Sequence, residues 1–154
     1  MRYWLFKSEP DSYSFERLRG EGTTPWSGVR NFQARNNMIE MKVGDLGFFY
    51  HSSCAQPAAV GIVKVVREAY ADDTAFKRGG DYYDPRSTPD KPLWKMVDVA
   101  YVEAFENEVT LARMREDPRL VGMPLLRRGQ RLSVQPVTPD EWKIVLDLSK
   151  ERQP

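Results

Sequence analysis

The sequence predicts a single α+β domain over residues 1–154, built as a small, strongly bent or barrel-like sheet with short helices at its periphery. Three observations carry this. The 154 residues, 41% hydrophobic and 29% charged, suffice for one core and leave no room for two full domains. β-like runs outnumber helical ones, and the intervening helices are too few and too short for a doubly wound sheet. Ten glycines and eleven prolines punctuate the chain densely, with no internal repeat and no long linker.

The elements follow in order. Residues 2–8 are apolar on both parities, Trp4 and Phe6 against Tyr3 and Leu5, as expected of a strand covered on both faces. Ser14 caps a short helix from Phe15 to Arg19 that Gly20 stops. A Gly/Thr/Pro loop then leads to Pro25-Trp26-Ser27-Gly28, and Asn31 to Met41 reads as a helix with Ala34, Met38 and Met41 on one face. Gly44-Asp45 turns into a strand, Leu46 to Ser52, in which Phe48 and Tyr50 point one way and Phe49 and His51 the other. Val60 to Tyr70 is a second run, paired to it across the loop at Ser53 to Pro57. Residues 71–93, charged and interrupted by Gly79-Gly80 and three prolines, form a long excursion, a feature usually tied to function.

Trp94 to Phe105 is a third long strand. Thr110 caps the next helix, with Val109 and Met114 as its staple. Leu132 to Gln135 alternates again, Leu132 and Val134 inward, Ser133 and Gln135 away. The sharpest local signal is Thr138-Pro139-Asp140-Glu141, a capping box with proline at the first helical position and Val137 and Trp142 as a staple; Trp142, Val145 and Leu146 then form one apolar stripe.

Composition excludes several classes of function. The longest apolar runs are far short of the roughly twenty residues that a bilayer-spanning helix needs, so no membrane partner is expected. The first residues hold too few apolar side chains for a signal peptide. A single cysteine, Cys54, excludes an internal disulfide, and a single histidine, His51, excludes the usual zinc cages; a reducing, cytoplasmic setting without metal or cofactor follows. With 23 basic and 22 acidic residues, bulk charge does not attract nucleic acid, and any anion site must be local. Six arginines lie between Arg113 and Arg131 against only Glu116 and Asp117; of these Arg127, Arg128 and Arg131 are candidates for backbone phosphates, or else for an acidic protein partner.

Four tryptophans need separate accounts, because indole combines a large apolar face with one N–H. Trp142 and Trp4 are explained by packing. Trp26 and Trp94 each follow a proline-containing loop, where they either seal the ends of the sheet or project over a cleft. Beside Trp26, Arg30 offers a planar fork, and Asn31 offers a donor and an acceptor unless it is consumed as an N-cap. His51, Ser52 and Cys54, with Lys7 nearby, suggest a hydrolytic centre, but adjacent strand residues point to opposite faces and no nucleophile motif surrounds them.

Six blocks, Tyr3-Trp4-Leu5-Phe6-Lys7-Ser8-Glu9-Pro10, Trp26-Ser27-Gly28-Val29-Arg30-Asn31, Gly44-Asp45 with Phe49-Tyr50-His51-Ser52, Tyr83-Asp84-Pro85, Pro92-Leu93-Trp94 and Arg131-Leu132-Ser133-Val134-Gln135-Pro136, together resemble the EVE domain. The resemblance implies a PUA-like bent β-barrel flanked by helices, related to the YTH readers of methylated adenine. It implies a non-enzymatic reader of modified bases, cytosine derivatives in DNA for some members and modified RNA for others, working with a separate effector protein if any cutting follows. It places the pocket at Lys7, Ser8, Trp26, Val29, Arg30, Asn31, Tyr50, His51 and Ser52, completed by Trp94 and by Ser133, Val134 and Gln135. The central expectation is that Trp26 and Trp94 converge as opposing walls around one flipped base. A small hydrolase acting on modified nucleosides is the alternative; DNA against RNA, the modification and the oligomeric state stay open.

Overall fold

The computed structural model describes residues 1–152, so the last two residues of the expected domain lie outside the described residues. Its strands are β1 (Tyr3–Ser8), β2 (Thr23–Pro25), β3 (Leu46–His51), β4 (Ala58–Ala71), β5 (Lys95–Thr110) and β6 (Val134–Val137), and its helices are α1 (Phe15–Glu21), α2 (Phe32–Glu40), α3 (Leu111–Glu116) and α4 (Pro139–Ser149). One mixed sheet of six strands runs β2-β5-β4-β3-β1-β6. β1 is parallel to β3 and antiparallel to β6, and the remaining pairs are antiparallel.

The α+β class and the single domain are as expected, but closure into a barrel is not: the sheet is open, with β2 and β6 as its edges. Helix α2 explains how an open sheet still buries its inner face. It touches β4, β5 and β6, and so spans the gap that strand pairing would otherwise have to close. Repeated register shifts between β4 and β5 bend this long hairpin and let it run further than the apolar pattern suggests.

Because β1 is an interior strand between β3 and β6, its two parities feed two cores. Trp4 and Phe6 join Phe49, Trp26, Val97, Val99, Ala34, Met38 and Val134 on the inner face. Leu5 joins Phe48, Tyr50, Met114, Trp142, Val145 and Leu148 on the outer face, beneath α4. The inner face depends on Gly47: a methyl there would lie 2.6 Å from the Phe6 ring.

Local chemistry sets the element ends. The Thr138 capping box of α4 is present in both directions, but its buried stripe is Trp142, Val145 and Leu148, with Leu146 only partly covered. α1 continues through Gly20 and ends at Gly22, whose φ of 84° suits glycine and whose N–H donates back to the Leu18 carbonyl at 2.7 Å. The stretch after it, expected as a loop, pairs with β5 as β2. On β6 the expected parity holds: Val134 joins the inner core, and Gln135 faces the other way. It lies opposite Leu5 and is fully buried under the outer layer, its Nε2 donating to the Leu132 carbonyl at 2.8 Å and its Oε1 without a partner among the described residues. Both faces of β6 are covered, so polar alternation there does not mean exposure. No helix among the described residues is long and apolar enough to cross a membrane.

Candidate functional site

A cleft of about 720 Å³ opens where the C-terminal end of β1, helix α1, strand β2 and the turn at 26–30 meet. Lys7, Ser8 and Tyr13 come from β1 and the turn after it, Arg17 and Glu21 from α1, Trp26, Gly28, Val29 and Arg30 from the segment leaving β2, Ser133 from the approach to β6, and Tyr82 from the long excursion.

Trp26 is 8% exposed and forms part of the inner core. Its ring meets Phe6 at 5.2 Å and 67°, and Phe49 at 5.6 Å and 89°. The indole nitrogens of Trp4 and Trp94 donate to Asp45 and Asp84, whereas that of Trp26 has no partner among the described residues. Lys7 is half-buried, its ammonium 3.4 Å from the Gln130 carbonyl and within 4 Å of no carboxylate among the described residues. Burial holds its pKa below the ordinary lysine value. A partly desolvated cation without a counter-ion favours an incoming anion. The Ser8 hydroxyl donates to the Tyr13 carbonyl at 2.6 Å and keeps its lone pairs as acceptors.

Arg30 stands at the cleft, but its fork is not free. Nε and Nη2 donate to the Tyr82 carbonyl at 3.1 and 2.8 Å, Nη1 donates to Val29 O and to Asp72, and Nη2 also reaches Thr74. The Asp72 carboxylate is fully buried and also accepts from the Gly28 N–H at 2.8 Å and from Thr74. Burial alone would raise its pKa, yet the hydrogen bonds from Thr74, Gly28 and Arg30 outweigh this and lower it. Arg30 therefore ties the excursion to the cleft wall instead of offering an open fork.

The expected wall of Trp94 does not form. Trp94 is 2% exposed, stacked on Phe32 at 4.7 Å and 21°, with Nε1 donating to Asp84 at 2.8 Å, and it does not line the cleft. Its link to the site is indirect, through the Arg30 guanidinium 5.4 Å from its ring. Asn31 is spent as the N-cap of α2, accepting from Ala34 N at 2.9 Å. Tyr50 is buried in the outer core, where desolvation pushes its hydroxyl up to about 12.

His51 lies outside the cleft lining, and its Nε2 accepts the Phe15 N–H at 3.1 Å at the start of α1. Burial, only partly offset by Glu108, lowers its pKa and keeps the ring neutral. Ser52 joins β1 through its backbone N–H to Ser8 O, and Val134 is inner core. Thus Lys7, Ser8, Trp26, Val29, Arg30 and Ser133 come together, while Asn31, Tyr50, His51, Ser52, Trp94, Val134 and Gln135 lie outside the cleft lining. Arg127, Arg128 and Arg131 are exposed on a loop that meets the cleft through Gln130 and Ser133, both bonded to Lys7. Sequence reasoning missed Tyr13, Arg17, Asp72 and Tyr82; the last two lie in the excursion already marked by its length.

The EVE-domain family model matches residues 2–148. The chain belongs to the EVE family. Human thymocyte nuclear protein 1 is 42% identical to this EVE domain, over 99% of this chain and 75% of its own length. A solved protein from Pseudomonas putida shares 48% identity and a TM-score of 0.93, with 96% of this chain and 99% of that one covered. Human THYN1 protein, solved in complex with DNA containing 5-methylcytosine, superposes with a TM-score of 0.94 at 40% identity, covering 99% and 100%. A more distant likeness, 8% identity and a TM-score of 0.54 to an ASCH protein from Zymomonas mobilis, covers 96% of each chain and shows shared fold alone.

Proposed function

We propose that this EVE domain reads a modified nucleobase, binding it extruded from its strand in the cleft beside Trp26, with 5-methylcytosine in DNA as the first ligand to test and modified RNA as the second. The observation that carries the reading is a half-buried Lys7 ammonium, bonded to a carbonyl but to no carboxylate among the described residues, that lines with Trp26 a cleft of base-accommodating size, in a chain of which 99% matches a human protein solved with 5-methylcytosine-containing DNA. Lys7 supplies attraction to phosphate, Trp26 supplies apolar contact, and Ser8 with backbone groups supplies edge contacts.

The energetics set the scale of selectivity. Extrusion costs a few kcal/mol, and stacking returns about 1–3 kcal/mol per base. A buried methyl adds about 0.8 kcal/mol, roughly a fourfold preference unless the pocket is closely shaped. The reading is non-enzymatic: the lone pair that His51 would need as a base is occupied by Phe15 N–H. Any cutting then belongs to a separate effector protein, and the lone Cys54 favours a cytoplasmic setting.

Fluorescence anisotropy with matched oligonucleotides carrying 5-methylcytosine or cytosine tests the proposal. Wild type is expected to prefer the modified strand, and Trp26→Phe to lose that preference while staying folded. Equal binding of both strands by wild type overturns it. Release of product from modified nucleosides, read by mass spectrometry, would favour the hydrolase instead.

A further inference from the structure

Of the three aromatic residues that line the cleft, Trp26, Tyr13 and Tyr82, the last is the most exposed. Trp26 is packed among Phe6 and Phe49 and shows little of its surface. Tyr13 carries the Arg17 guanidinium 5.0 Å from its ring centroid, and its hydroxyl donates to Glu21 at 2.6 Å. Tyr82 is 47% exposed, and its hydroxyl has no partner among the described residues.

Its place is nevertheless built. The ring lies against Gly28, two residues from Trp26, so closely that a methyl on Gly28 would sit 2.8 Å from it. The Tyr82 carbonyl is clasped by two donors of Arg30, whose guanidinium is held by Asp72 and Thr74 and lies between the Tyr82 and Trp94 rings, 5.6 and 5.4 Å from their centroids. On the far side, Asp84 receives Trp94 Nε1 and pins the residues just after Tyr82. Despite these contacts nearly half of Tyr82 stays open to solvent, so the arrangement holds the ring in place without hiding it. Holding it still lowers the entropy cost of docking a flat ligand.

We propose that Tyr82 is the stacking surface for the extruded base, taking the role expected of Trp94, while Trp94 acts beneath it as a positioning residue through Arg30. The inference rests on the cleft being a nucleobase site, and adds which side chain grips the base and why the excursion exists. Tyr82 thereby becomes a determinant of affinity that is indifferent to base identity, because every base presents a π-face. Discrimination between bases is left to Ser8, Trp26 and the backbone groups of the cleft.

A strand with 5-iodocytosine at the target position, in which iodine replaces the methyl, tests contact directly by photocrosslinking and peptide mass spectrometry. The expected adduct maps to Tyr82. In parallel, anisotropy with the 5-methylcytosine strand is expected to show about a tenfold or greater loss for Tyr82→Leu and near wild-type binding for Tyr82→Phe and Tyr82→Trp, which keep a π-face and also guard against a folding artefact. Wild type that ignores the methyl overturns the reading of the cleft itself. Wild type that keeps its preference, with adducts only at Tyr13 or Trp26 and undiminished binding by Tyr82→Leu, overturns the role of Tyr82 alone.

Discussion

The two faces of the sheet carry aromatic clusters of similar composition and opposite character. On the outer face Trp142 lies nearly parallel to Phe48 at 4.0 Å and to Tyr3 at 4.5 Å, so its apolar surface is spent on packing. On the inner face Trp26 meets Phe6 and Phe49 at steep angles and borders an open cleft, with its N–H unpartnered among the described residues. Packing of the first kind yields stability, and packing of the second kind leaves a side chain held at the edge of a void.

Breaking the closed face has the largest effect. Trp142→Ala is expected to cost about 3–5 kcal/mol of stability in urea denaturation. The preference of the folded protein for modified strands stays unchanged; a lost preference would merge the two faces functionally.

On the open face the largest effect comes from Gly28→Ala. Its φ of 82° costs an L-residue about 1–2 kcal/mol, and the new methyl pushes the Tyr82 ring from its seat. Binding is expected to fall more than the melting temperature does, as measured by anisotropy beside calorimetry.

Acid should loosen the open face through the excursion. The Asp72 pKa is lowered because its hydrogen bonds outweigh burial, and Asp84 is held well below the usual carboxylate range by Arg86 and by the Trp94 N–H. Depressed folded values mean that these anchors contribute fully above the unfolded value of about 3.9 and are lost as pH falls through the folded ones. Amide protection factors in residues 72–93, taken relative to the intrinsic exchange rate at each pH, are expected to fall below about pH 4, before those of β1 and β3. A simultaneous fall would show that the excursion is not separately anchored.

Lys7→Met should reduce binding to modified and plain strands alike and lower the salt slope by about one, with stability retained because a desolvated ammonium is removed. The smallest change is expected from Arg127→Ala or Arg128→Ala, each removing less than one unit of that slope. A shift in base preference from either would place these arginines inside the reading site.

Several parts of this molecule were legible in the residues themselves. The opposite facing of Phe48 and Phe49, the doubly covered β1 and the capping box of α4 all follow from local rules, period two in strands and reciprocal bonding at a helix start. Lys7, Ser8, Trp26, Val29, Arg30 and Ser133 were drawn together by family blocks and meet at the cleft. Trp94 failed for a physical reason: a loop-flanked indole looks the same in sequence whether it faces a void or stacks on a ring such as Phe32, fifty residues and more away. Tyr82 was invisible because its significance depends on contacts with Gly28 and Arg30 across the same distance.

By itself the sequence determined the strand parities, the helix caps and the family, since each is written in neighbouring residues or in the order of short blocks. Tertiary structure alone decided that the sheet stays open under α2, that Arg30 is consumed in holding a loop, and which ring stands free at the cleft. Those outcomes depend on competition for the same donors and the same space among distant segments, and such competition is resolved only when the chain is folded.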